Sequence, residues 1–258
     1  MKPRHRRAAL PRHDPELDRL SAALAAAQER EVARSAAFGL LELAVEDAVA
    51  VGPAAPQVTR EVRRLVETGE TPWPADAFGV LIEIVNALGV WRRAREQVSG
   101  HGRTVYDPQV GGETAVGDEL AGLDAPVREH LVHDLPEVRA LAALLLARIS
   151  SQPGSDLDLL RMVLAEESED RTRACLAEAV LRLSLAHGIW AGADTRAAFA
   201  VSMLRDRSRV VQVRVARYFQ PTEEATDPHR GGPEVVPLVA DTLAAGPADR
   251  VRWPAEDL

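Results

Sequence analysis

The 258-residue chain carries a formal net charge of −8, with apolar residues at 46% and aromatics at only 4%. Its apolar content is mostly Ala, Leu and Val, which suits closely packed helices. Short apolar runs broken by Arg or Glu exclude a transmembrane span, the lone Cys175 excludes a disulfide framework, and an acidic body disfavours a phosphate backbone as partner.

The first thirteen residues hold Lys2, Arg4, Arg6, Arg7 and Arg12 without an acid and read as a basic tail. No apolar segment with a cleavage site follows them, so the cytoplasm is the expected compartment. A first helical hairpin is predicted at 14–27 and 31–46, with Val32, Ala36, Leu40 and Leu43 at helical spacing. Pro53 and Pro56 interrupt the pattern before a short helix at 57–67. The turn Gly69-Glu70-Thr71-Pro72-Trp73-Pro74 then leads into a helix at 75–88. Residues 98–113 are rich in Gly and Pro and read as an irregular insertion between hairpins at 14–97 and hairpins at 114–246.

Beyond the insertion, a helix is expected over 114–132, bent near Pro126, and paired with 136–149. Two more hairpins follow at 156–164 with 170–185 and at 194–204 with 209–219. A connector at 221–233, an outer helix at 235–245 and a truncated cap at 247–258 complete the chain. Three inner helices open on related phrases: His133-Asp134-Leu135-Pro136-Glu137-Val138-Arg139, Glu167-Ser168-Glu169-Asp170-Arg171-Thr172-Arg173 and Asp206-Arg207-Ser208-Arg209-Val210-Val211. Their aligned positions Val138, Thr172 and Val211 are 34 and 39 residues apart, a period that marks stacked helical hairpins. The predicted fold class is all-α, an α-solenoid of about five to six hairpins.

In Leu135-Pro136-Glu137-Val138-Arg139-Ala140, and more loosely at 169–173, 211–212 and 32–33, the chain resembles the HEAT-repeat (armadillo-type) family, including short actinobacterial members. The resemblance implies a right-handed superhelix with second helices on a concave face, and non-catalytic binding of another macromolecule along that face. It further implies that Arg139 and Arg173 link each repeat to acids of the neighbouring turn. Some members of the family are alkylpurine DNA glycosylases or bilin lyases, which supplies the contrasting enzymatic reading. Against the glycosylase stand the acidic body and the placing of Trp73, Trp190 and Trp253 in turns or the tail; only Trp91, near Glu96, reaches a candidate rim.

Helical register selects the candidate contacts. On the helix at 136–149, Val138, Leu141, Ala142 and Leu145 form the buried stripe and leave Glu137, Leu144 and Arg148 outside. The same register gives Arg171, Glu178 and Arg182, then Arg217, and earlier in the chain Glu42, Glu83 and Asn86. This face is expected to run from acidic to basic along the chain and to receive a protein or peptide. Glu129, His130, His133 and Asp134 have partial metal-ligand spacing but read as surface residues before a turn. No cofactor, metal or catalytic constellation is expected.

Overall fold

The computed structural model describes residues 14–46, 50–99, 110–188, 193–219 and 235–245, and is almost wholly α-helical. The basic tail, most of the insertion, the 221–233 connector, the 247–258 cap, Trp190 and Trp253 lie outside the described residues, and Trp91 outside the described side chains. Among the described residues no helix is long and apolar enough to cross a membrane. Contacts divide the chain into two compact units, with the break between Ala121 and Gly122.

In the first unit, helix α1 (Pro15–Ala26) starts where Asp14 accepts the Glu16 amide at 3.0 Å and Pro15 supplies a pre-set backbone angle. It buries Leu17, Leu20 and Leu24. Helix α2 (Arg30–Ala44) returns against it and buries Ala33, Ala36, Ala37 and Leu40. The two approach closely at Gly39, where a Cβ would stand 2.8 Å from Leu20 Cδ2.

The helix expected to reach residue 46 ends at Ala44. The β-branched Val45 donates its amide to Leu41 O, and β1 (Val45–Glu46) pairs antiparallel with β2 (Ala50–Val51). Helix α3 (Ala55–Thr68) buries Val58, Val62 and Leu65 and closes on Gly69, whose φ of 65° is left-handed.

Helix α4 (Pro74–Ser99) is longer than the sequence suggests. Phe78, Val80, Leu81, Ile82 and Ile84 are all buried, because α2, α3 and β2 pack around it. The preceding turn is tied to the end of α1 by Trp73 Nε1 on Ala27 O (3.2 Å) and Thr71 Oγ1 on Leu24 O (3.3 Å).

The helix expected over 114–132 is two helices. Helix α5 (Val110–Leu120) takes in Gly111 and Gly112, which read as turn residues in isolation, and packs on α3. Arg63 Nη1 donates to the Glu119 and Ala121 carbonyls at 2.8 Å each, closing the carbonyl end of α5, and Arg60 pairs with the Glu119 carboxylate. Gly122, with φ 78°, then turns the chain away.

The second unit opens with α6 (Asp124–Glu129) and a 3₁₀ turn at His130–Val132. It continues through α7 (Pro136–Ile149), α8 (Pro153–Glu166), α9 (Asp170–His187), α10 (Ala193–Leu204), α11 (Arg209–Tyr218) and α12 (Val235–Ala244). Helix α9 packs on both α7 and α11, while α8 lies against α9 and α10 against α11. Every residue from Ala140 to Ala147 is buried, since α6, α8 and α9 all cover α7. Leu144, expected outside, is therefore inside at 2% exposure. Cys175 is fully buried in α9.

Polar links join the turns that precede α7, α9 and α11. Arg139 donates back to His133 O (2.7 Å) and Asp134 O (3.0 Å), and forward to both oxygens of Glu167 (2.7 and 3.0 Å). Arg173 repeats the pattern, back to Glu167 O at 3.0 Å and forward to Asp206 Oδ2 at 2.6 Å. Gln212 holds the corresponding place in α11 and makes the backward bond, to Asp206 O at 2.6 Å. In all three the backward acceptor is the carbonyl six residues earlier. The acids also cap their own turns: Glu167 accepts the Ser168 and Glu169 amides, and Asp206 accepts that of Ser208. Thr172 Oγ1 donates to Pro136 O (2.9 Å), a further bond between neighbouring inner helices. A second knot lies between α6 and α8, where Arg128 pairs with Asp124 (2.7 Å) and with the fully buried Asp156 (2.5 Å).

Removing Arg139 leaves a buried carboxylate and two turn carbonyls short of donors. Arg139→Ala is expected to cost about 3 kcal/mol of stability. A double-mutant cycle with Glu167→Gln, read by urea denaturation, should return a coupling energy of about 1–3 kcal/mol; additive single effects would show that the pair does not act as a link.

Candidate functional site

The register-selected residues fall in both units. Glu42 is exposed on α2, and Glu83 and Asn86 are half-buried on α4, where Asn86 Nδ2 donates to Glu83 Oε1 at 3.3 Å. Arg148, Glu178, Arg182 and Arg217 lie in the second unit on α7, α9 and α11. Val138 and Val211 are core residues, at 1% and 0% exposure, and Arg139 and Arg173 are engaged in the links between turns.

The structure corrects the expected exposure of Glu178, which is buried at 6%. Its Oε1 accepts Arg182 Nη2 at 3.0 Å, one helical turn on, and its Oε2 pairs with Arg214 Nε of α11. Burial pushes the Glu178 carboxyl up. The charges of Arg214, Arg182 and Arg148 outweigh that, together with the Arg182 hydrogen bond, and hold it below its ordinary value. Two guanidinium groups from two helices thus meet one carboxylate, and the charge of a third, Arg148 of α7, acts on it as well.

The Arg182 guanidinium also stands 5.8 Å from the Tyr218 ring centroid, a cation–π arrangement, and Tyr218 meets Phe219 edge-on. Arg148, at the end of α7, is half-buried and donates to Leu144 O at 2.5 Å. Arg217, next to Tyr218, is exposed, as is Arg171 at the start of α9. Guanidinium groups stay charged at any physiological pH, so this arrangement can hold an anion but cannot exchange a proton with a substrate. Cys175, one turn before Glu178, has its thiol pushed up to about 12 by burial and stays protonated, which removes it as a nucleophile.

The histidines before α7 act as turn residues. His130 and His133 stack with centroids 6.0 Å apart, and His133 Nδ1 takes the Leu135 amide at 3.1 Å. Among the described residues, no group of three or more His, Cys, Asp or Glu side chains is placed to hold a metal ion.

In sequence Arg214 stands in a cluster with Arg205, Arg207, Arg209 and Arg217, and its buried pairing was missed although a signal was present. In the repeat register it occupies the column of Leu141 and Cys175, both fully or nearly fully buried. An arginine in an apolar column requires a buried counter-charge, and Glu178 is the carboxylate that meets it. Tyr218 and Gln212 carried no comparable signal. No family model matches this chain, and comparison with curated proteins and with solved structures finds no significant match.

The pH response follows from the buried Glu167 and Glu178. Burial raises Glu167, but the Arg139 bond, the Glu169 amide, the Arg139 charge and the Ser168 amide bring it below its ordinary value of 4.5. Glu178 is likewise lowered from 4.5. A carboxyl depressed in the folded state contributes stability that is complete above its unfolded value and is lost as the pH falls through the folded one. Unfolding free energy should therefore decline as pH drops below 4.5, and Glu178→Gln should flatten that decline in a denaturant series; an unaltered acid limb would contradict the assignment.

Proposed function

We propose that this chain is a non-catalytic binding protein with a right-handed, HEAT-like α-solenoid architecture. Its partner is a protein or peptide, and its second unit receives an acidic segment of that partner. The architectural part of the reading is supported by the same backward bond at Arg139, Arg173 and Gln212, with two forward links to the next turn. Such nearest-neighbour joints are what a stacked repeat requires.

One observation carries the binding part: Arg182 and Arg214 both pair with the buried carboxylate of Glu178, whose charge Arg148 also stabilises, with the exposed Arg217 adjacent to Tyr218 on α11. The carboxylate anchors and orients the cluster without neutralising it. A planar fork beside an aromatic ring suits Asp or Glu side chains and a peptide backbone. Charge complementarity of this kind sets orientation and association rate.

The cleanest probe is Arg217, because Arg182→Glu would set a second acid against the buried Glu178 and damage the fold. A fluorescent Asp/Glu-rich peptide should bind the full chain more tightly than its Lys/Arg counterpart, with affinity falling as salt rises. Arg217→Glu should weaken it about tenfold, the loss of roughly 1.4 kcal/mol. Equal binding of both peptides, or tighter binding of duplex DNA than of the acidic peptide, would overturn the reading.

A further inference from the structure

The first unit carries a surface of the opposite chemistry. A groove of about 540 Å³ runs between α1 and α2, lined by residues of those two helices and the turn joining them. The Leu20–Gly39 approach sets the antiparallel register, so Glu16 and Glu42 share one end of the groove while Glu29 and Glu31 share the other. Between them lie Leu20, Ala23 and Ala36, with Val32 and Phe38 standing 48% and 47% exposed, beside the polar Arg19 and Ser35. Glu31, Ser35, Phe38 and Glu42 fall on one line of α2, and the acids at its ends are about 16 Å apart at 1.5 Å per residue.

The pairing of these charges is uneven. Glu16 is taken by Arg19 at 2.5 Å, whereas among the described residues no ion pair reaches Glu29, Glu31 or Glu42. Other residues of α2 pack against α3 and α4. An aromatic side chain half in water, flanked lengthwise by carboxylates that no ion pair reaches among the described residues, marks a surface open to a partner.

We infer that this groove is the docking site for a basic amphipathic helix of a partner protein. The aliphatic face of that helix lies against Leu20, Val32 and Phe38, and its Lys or Arg side chains meet Glu29 and Glu31 at one end and Glu42 at the other. Two antiparallel helices present a furrow that a third helix fills by its i, i+3, i+4 and i+7 side chains. The charge selects the partner class: three carboxylates that no ion pair reaches among the described residues, set around Leu20, Val32 and Phe38, repel nucleic acid and an anionic lipid surface, and attract a cationic peptide. This site is separate from the acidic-segment reading of the second unit and stands or falls without it.

The test uses the full chain and a labelled helical peptide of about 18 residues, some 27 Å long, with Leu on one face and Arg along its flanks. A twin with Glu in place of Arg serves as control, and both are followed by fluorescence anisotropy. The basic peptide should bind with micromolar affinity, weakened about tenfold by Phe38→Ala and at least tenfold by Glu31→Lys with Glu42→Lys. Arg217→Glu should leave it unchanged. All three positions are exposed, and circular dichroism will show each variant folded.

Equal binding of the twin, or of the variants, would overturn the proposal. So would a tenfold gain in peptide affinity when Arg4, Arg6 and Arg7 are changed to Glu, since the chain's own first residues would then be the occupant. A dimer in sedimentation that dissociates in the Glu31→Lys, Glu42→Lys protein would reassign the groove to a second copy and likewise overturn it.

Discussion

The second unit depends on one arginine geometry. A guanidinium near the start of an inner helix reaches back to a carbonyl of its own turn and forward to an acid in the next turn. Few side chains could do both, because the task needs several donors held in a fixed fork at the end of a long stem. The acids it meets are themselves fixed by the amides they cap, so helix start, turn and neighbour contact form one connected network. At α11 the chemistry changes and the connection persists. Gln212 keeps the backward bond and accepts from Arg209, while Arg209 reaches the Thr242 carbonyl of α12 in place of an acid.

That network sorts the arginines. Arg139 and Arg173 are absorbed by turns, and Arg128 by Asp124 and Asp156. Around Glu178 the balance is different, with three cations to one carboxylate. Burying that carboxylate would be costly alone; its depressed pKa shows that the surrounding charge more than offsets desolvation. The arginines around Glu178 are thus held in place by packing and by that carboxylate.

The first unit is joined by other means. Gly39 lets α1 and α2 approach, Trp73 and Thr71 tie a turn to the end of α1, and α4 supplies a helix buried on nearly every side. Glu29, Glu31 and Glu42, which no ion pair reaches among the described residues, line the groove that Val32 and Phe38 share. The two units therefore differ in what holds them.

The helical class, the positions of α7, α9 and α11, and the burial of Val138 were legible in sequence, because 3.6-residue periodicity and a repeated opening phrase are local properties. Helix ends were less so. Val45 left α2 for a short ladder, and Gly111 and Gly112 entered α5, since pairing with β2 and packing on α3 outweighed propensity at those residues. Burial also could not be read from one helix alone. Leu144 and Glu178 lie on what periodicity marks as an outer face, and it is the neighbouring helices that cover them. By itself the sequence determined which segments are helices and where arginines stand in the repeat. Only the tertiary structure decided which arginine meets which carboxylate, because a side chain's charge partner is set by the helix packed beside it.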